Sequence, residues 1–198
     1  MEGDGDMGAW LDELCRIAGE GRSSVMMLDC ELPLDSISQT HDIAEVFSPP
    51  RVVRVARSRG LEAEWSIDKL TERAPGEPWN LLKKSHQQEV IKLMEEIKPG
   101  LLIGSPPCSW FSQLMNINWE RIEPKRRRAM LREARAYLRF MCKLYKLQHK
   151  SGRLFLHEHP ANAKSWAEEE VQEILKLNGV VRARLDMCAY NLRSTGAN

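Results

Sequence analysis

The sequence predicts an α/β domain built on a mostly parallel sheet with helices on both faces. Two observations carry the prediction. From Asp42 onward, short apolar runs alternate with longer amphipathic segments, and strands separated by helices are joined by crossovers that leave neighbouring strands parallel. Size sets the third bound: 198 residues suffice for one domain with a substantial core and are too few for two comfortable ones.

Taken in order, residues 1–41 are expected to be an N-terminal extension, partly helical, because Trp10, Leu11, Leu14 and Ile17 fall at helical spacing. The apolar burst Val25-Met26-Met27-Leu28 that follows receives no role. The domain itself is expected over 42–198. Its strands are placed at 43–47, 63–67, 101–104, 154–156 and 180–185, each short enough for a strand. Helices are placed at 51–59, where Pro50 suits a first turn and Gly60 a terminus, and at 87–97 and 168–177. Pro99 and Gly100 break the preceding helix and sit badly inside a central strand, so the third strand is expected to begin at Leu101.

The longest helix is expected over 124–150, with Leu131, Ala134, Leu138, Met141 and Tyr145 as a buried stripe. Arg128, Arg132, Arg135, Arg139, Lys143, Lys146 and Lys150 form a second stripe at spacings of three or four. A solvated helix back is the commoner outcome for such a stripe; the alternative is contact with phosphates, which positions nucleic acid without reading its sequence.

Composition narrows the rest. A net charge of +1 supplies no global field that demands an acidic partner, so any nucleic-acid contact must be local. The five cysteines are odd in number and hold no CxxC pair, which argues against a disulfide framework and a zinc ribbon and for a reducing compartment. The acidic, glycine-bearing start is unlike a secretory signal, and no apolar run approaches the roughly 20 residues of a membrane span. An intracellular protein, nuclear or cytoplasmic, is expected. His157 and His159 share one strand face and Glu158 points to the other, so these three do not make a metal site without a ligand from elsewhere; no metal is expected.

The loop after the third strand reads Ser105-Pro106-Pro107-Cys108-Ser109-Trp110-Phe111-Ser112. It follows the carboxyl end of a strand, where open parallel sheets bind ligands. Two consecutive prolines fix φ twice and present the next side chain with little entropy left to lose. That side chain is Cys108, a nucleophile if its proton is removed.

The string GSPPCSWFS resembles the catalytic loop Gly-Gly-Pro-Pro-Cys-Gln-x-Phe-Ser of the cytosine-C5 DNA methyltransferases; counting the free position, seven of the nine agree. The resemblance implies a Rossmann-like S-adenosylmethionine-dependent methyltransferase fold, S-adenosyl-L-methionine as cofactor and DNA as partner. It implies that Cys108 adds to C6 of a flipped-out cytosine, which makes C5 nucleophilic toward the methyl group. The family's acid for cytosine N3 comes from Glu-Asn-Val at the next strand end, and Glu158 of Phe155-Leu156-His157-Glu158-His159-Pro160 stands in that place. A right-handed crossover through the long helix would bring Glu158 beside Cys108.

The cofactor residues implied in the same way are Phe47, Ser48, Asp68, Asn80 and Pro106. Glu45-Val46-Phe47-Ser48-Pro49-Pro50-Arg51 matches the family's first strand end at Phe47 but lacks each of its glycines. Asp68, or else Glu64, stands where nucleotide folds hold ribose hydroxyls. Asn80 replaces the family's adenine-contacting Asp. Near the end, Asp186-Met187-Cys188-Ala189-Tyr190-Asn191 is similar to Asp-x-x-Asp-Tyr-Gly. The resemblance covers about residues 42–192; the family's target-recognition region and closing motifs would follow, so a C-terminally truncated domain, part of a longer polyprotein or served by a separate recognition region, is expected. The departures SPPR, SPPC and HEHP are similar to methyltransferase-like domains found beside transposable-element sequences. Two other readings stand: an amino-methyltransferase acting on nucleic acid, whose Asp/Asn/Ser-Pro-Pro-aromatic motif overlaps Ser105-Pro106-Pro107, and a non-catalytic nucleic-acid-binding or scaffold relic of the fold.

Overall fold

A computed structural model describes residues 23–28, 41–63, 65–112, 115 and 119–185. Its strands are β1 (Ser23–Leu28), β2 (His41–Val46), β3 (Ser66–Ile67), β4 (Glu72–Ala74), β5 (Glu77–Pro78), β6 (Pro99–Gly104), β7 (Leu154–Pro160) and β8 (Val180–Leu185). Its α-helices are α1 (Val52–Ser58), α2 (Lys84–Ile97), α3 (Pro124–Lys150) and α4 (Glu169–Leu175). Among the described residues the main sheet has the order β3-β2-β6-β7-β1-β8, and β4-β5 form a separate hairpin.

Four neighbours, β3, β2, β6 and β7, are parallel, with Ile43 opposite Leu101 and Leu101 opposite Leu154. β1 runs antiparallel to both β7 and β8. Residues 23–28, expected in an extension outside the domain, are therefore a strand inside its sheet. With β1 set aside, the remaining strands taken in chain order lie 2-1-3-4-5, one of the two common doubly wound orders.

Apolar alternation places the helices. Ala44, Val46, Leu102 and Phe155 face α2, α3 and α4 through Val90, Met94, Leu138, Met141, Val171 and Ile174. Ile43, Leu101, Ile103 and Leu154 face the other way, where Val53 and Ala56 of α1 cover them. The fold is α/β with helices on both faces. No helix among the described residues is long and apolar enough to cross a membrane.

The helix ends follow local chemistry. Glu123 caps α3 by accepting from the N–H groups of Lys125 (2.8 Å) and Arg126 (2.9 Å), and Pro124 opens the first turn. α2 closes at Lys98, which adopts the left-handed region (φ 48°) ahead of Pro99. Pro99 and Gly100, expected before the strand, belong to β6. The proline is its first residue, where a missing N–H costs nothing to the ladder, and its carbonyl accepts from buried Gln148 Nε2 at 2.9 Å. The same Nε2 donates to Leu154 O at 3.0 Å, tying the end of α3 to the starts of β6 and β7.

Candidate functional site

β2 and β6 are neighbours whose onward connections run to opposite edges of the sheet, so a crevice opens beyond their carboxyl ends. Phe47 follows β2 and adopts φ 62°, the left-handed region that a bulky side chain rarely occupies. Such strain costs roughly 1–3 kcal/mol and collects at functional sites. The neighbouring strand holds it: Phe47 N–H donates to Ile67 O at 2.7 Å, and the ring meets Tyr137 edge-on at 5.2 Å.

A cleft of about 350 Å³, partly open to solvent, lies here between Phe47, Asp68, Lys69, Trp79, Leu81, Pro107 and Tyr137. Asp68 stands one residue beyond β3, and its Oδ1 accepts from Leu70 N–H at 2.9 Å. Of the expected cofactor residues, Phe47 and Asp68 line this cleft; Glu64 lies outside the described residues. Asn80 does not line it. Its carboxamide oxygen accepts from Leu82 N–H at 3.0 Å, and its neighbours Trp79 and Leu81 supply the wall. Ser48 is turned away as well, its hydroxyl 3.0 Å from Glu45 Oε1. Glu45 is fully buried and accepts from Val52 N–H (3.2 Å) and Val53 N–H (2.8 Å), so its carboxylate occupies the amino end of α1.

Beside the cleft, the loop after β6 carries Cys108. Ser105 N–H donates to Val46 O at 3.1 Å, and Phe111 N–H closes a 3₁₀ turn on Cys108 O at 2.9 Å. Phe111 is buried and packs toward the His159 ring. His159 then holds the prolines. A carbonyl only accepts, so its Nε2–H donates to Pro106 O (2.8 Å) and its Nδ1 accepts from Ser165 Oγ (2.6 Å). Burial pushes His159 down to about 4, which keeps the ring neutral.

The strand alternation of β7 puts His157 on the same face as His159. Tyr145 Oη lies 3.2 Å from Gly104 O and 2.9 Å from His157 Nδ1. Gly104 O accepts the hydroxyl hydrogen and His157 Nδ1–H donates to Oη, leaving His157 Nε2 a buried lone pair without a partner. Burial holds His157 well below the usual histidine range. Gly104 has no room for a side chain: a Cβ there would lie 2.2 Å from Tyr145 Oη.

Glu158 points to the opposite face of β7. Gly104 pairs with His157 in the register, so Glu158 stands one residue beyond the end of β6 and faces the start of the Cys108 loop. Burial pushes its carboxyl up. Burial also pushes the half-buried Cys108 thiol up, and the negative charge of Glu158 adds to the effect. The charge of Glu158 thus acts on Cys108. No group of three or more metal-ligating side chains occurs among the described residues.

The basic stripe of α3 is split by its neighbour. Arg135 makes two 2.9 Å hydrogen bonds to Glu168, Arg139 lies 3.6 Å from Glu170 and Lys146 2.6 Å from Glu173. Arg135 and Arg139, expected with Arg128 and Arg132 as phosphate contacts, therefore serve an ionic seam to α4 that a helix-face reading of α3 alone could not show. Arg128 and Arg132 are exposed and carry no ion pair among the described residues. The segment 186–191 lies outside the described residues. Sequence reasoning missed Lys69 and Tyr137 of the cleft and the His159–Pro106 clamp; only the shared face of His157 and His159 hinted at the last.

Comparison with known proteins returns no match to this chain, whether to a family model, a curated protein or a solved structure.

Proposed function

We propose that this chain is a methyltransferase of the cytosine-C5 type acting on nucleic acid, with Cys108 as nucleophile and Glu158 as acid. The observation that carries the reading is their juxtaposition: a proline-framed thiol and a half-buried carboxyl at adjacent parallel strand ends, beside a cleft at the point where strand order reverses.

The cleft suits the nucleoside half of S-adenosylmethionine. Phe47, Trp79, Leu81 and Tyr137 offer aromatic and apolar walls for an adenine, and Asp68 stands where ribose hydroxyls are held. The amino end of α1 suits it too, by what it refuses. Pro49 and Pro50 donate nothing, and the N–H groups of Val52 and Val53 already serve Glu45. A pyrophosphate finds no free cradle of N–H donors there, whereas a cationic ligand needs none. When bound, S-adenosylmethionine supplies an electrophilic methyl group on a sulfonium.

The protein's own part is proton and electron placement. Proton transfer from Cys108 Sγ to Glu158 gives a thiolate and the carboxylic acid required at cytosine N3. Sγ then bonds to C6 while Glu158 protonates N3, and electron density arrives at C5. After C5 accepts methyl and gives its proton to water, the Sγ–C6 bond breaks, N3 returns its proton to Glu158, and the released thiolate is reprotonated from that carboxyl. The raised Cys108 thiol favours one competing reading, methylation of an exocyclic amine, which needs no thiolate.

A DNA strand carrying 5-fluorocytosine tests the mechanism, because fluorine at C5 cannot leave as a proton does. With S-adenosylmethionine present, a denaturation-resistant complex is expected for the wild type and none for Cys108→Ser. Glu158→Gln is expected to slow methyl transfer by roughly 10²–10⁴-fold. Methyl transfer at a near-normal rate in Cys108→Ser points to the exocyclic amine, and no calorimetric binding at millimolar cofactor would overturn the assignment.

A further inference from the structure

A second cleft, of about 400 Å³, opens on the other side of the Cys108 loop. Trp110, Phe111, Met115, Trp119, Leu131 and Lys164 line it, and the Arg135–Glu168 pair closes one end. Trp110 is two residues from Cys108. Two cations attend the indole of Trp119: the Arg127 guanidinium at 5.6 Å and the Lys164 ammonium at 5.8 Å from the ring centroid.

The charge beside this cleft is uneven. Toward its carboxyl end, α3 meets the acids of α4, and Arg135, Arg139 and Lys146 are neutralised there. Its amino-terminal half carries Lys125, Arg126, Arg127, Arg128 and Arg132. Of the three acids nearby, Glu120, Glu123 and Glu133, Glu123 is committed to the helix cap and Glu133 bonds the Tyr137 hydroxyl. An aromatic cleft with cations over its ring and an unneutralised basic helix end beside it is complementary to a base and its phosphates. An apolar peptide would leave that charge unmatched, and an acidic peptide would match the charge but bring no planar ring to Trp110 and Trp119.

We infer that the Trp110–Trp119 cleft receives a nucleobase next to the one presented to Cys108, with Arg128 and Arg132 on the flanking phosphates, so that the substrate is an unpaired strand. A base enters an aromatic cleft only when it is unstacked from its neighbours, and base–aromatic stacking tolerates any sequence because every base has a π face. Duplex nucleic acid would have to give up a second base pair to satisfy it. This deepens the methyl-transfer proposal by naming its substrate class, and it is tested without catalysis.

Fluorescence anisotropy with the Cys108→Ser protein and no cofactor measures binding of a labelled 12-nucleotide single strand, the same sequence as a duplex, and a single strand with one abasic position. Tighter binding of the single strand than of the duplex is expected. Trp119→Ala is expected to weaken single-strand binding roughly 5- to 150-fold, with Trp119→Phe recovering most of it and an unchanged circular dichroism melt. The joint change Arg128→Ala, Arg132→Ala is expected to flatten the salt dependence by about one to two in log–log slope. Stacking further requires that Trp119→Ala cost less on the abasic strand placed in register than on the intact one. Equal binding by Trp119→Ala and wild type, or duplex binding as tight as single-strand binding, overturns the inference. Success here with no trapping by 5-fluorocytosine would instead leave a strand-binding protein whose chemistry was wrongly assigned.

Discussion

Replacing Gly104 by alanine tests how the site is braced. The added Cβ would fall 2.2 Å from Tyr145 Oη, 2.7 Å from Met141 Sδ and 2.8 Å from Met141 Cε. Methionine moves aside at little cost, whereas Tyr145 is fully buried, stacked on Phe155 at 4.7 Å and bonded at its hydroxyl. Overpacking of this kind costs about 1–3 kcal/mol. Displacing the hydroxyl also strips Gly104 O and His157 Nδ1 of their partner, a further ~1–3 kcal/mol for buried groups left unpaired. Gly104→Ala is therefore expected to lose about 2–6 kcal/mol. Tyr145→Phe alone should lose ~1–3 kcal/mol by the unpaired groups only. In the double variant the Cβ takes the space the hydroxyl vacated, so the two costs should fall short of their sum by at least ~1 kcal/mol. Urea unfolding followed by circular dichroism, with m unchanged, reads all four corners of the cycle. Additivity within about 0.5 kcal/mol would show that the hydroxyl is not what Gly104 accommodates.

Two further expectations concern titration and reactivity. His159 sits at about 4 against an ordinary 6.5, so between those values the unfolded chain binds a proton that the folded chain refuses. Stability from this ring is complete above about pH 6.5 and declines as pH falls to about 4, by ~3 kcal/mol; buried His157 acts in the same direction. From pH 7.5 to 4.5 the wild type should lose more of its urea midpoint than His159→Gln, and equal losses would contradict the clamp. Among the described thiols, Cys108 is half-buried whereas burial pushes Cys142 up to about 12. Iodoacetamide at pH 8 should label Cys108 well before Cys142 in the native protein, read by peptide mass mapping; matched rates would refute the burial difference.

What the sequence could show depended on how local the cause was. α3 was legible because a first-turn proline, an apolar stripe and a seven-fold basic stripe lie within the segment itself. That the Cys108 loop and Glu158 fall at neighbouring strand ends was legible because crossover handedness converts chain order into neighbourhood. β1 was not: its apolar burst is visible, but its partners β7 and β8 lie more than a hundred residues on, and no local pattern names them. The hairpin β4–β5 was missed because strands of three and two residues show no periodicity. Its stability rests on side chains, with Arg73 bonded to both Glu77 and Glu89. The division of the α3 stripe was likewise invisible, since the acids that neutralise half of it belong to another helix.

The departures from the C5-methyltransferase pattern make physical sense together. At the first strand end the position shared with the pattern, Phe47, is held in the left-handed region and packed edge-on against Tyr137. Where the pattern has asparagine and valine after the acid, only His159 stands near the loop, and it bonds the carbonyl of Pro106. Pro106 and Pro107 have no N–H with which to anchor themselves, so a loop that begins Pro-Pro needs a donor from outside, and a neutral imidazole held by Ser165 is one. His159 thus sits in a satisfied contact that holds the start of the loop carrying Cys108.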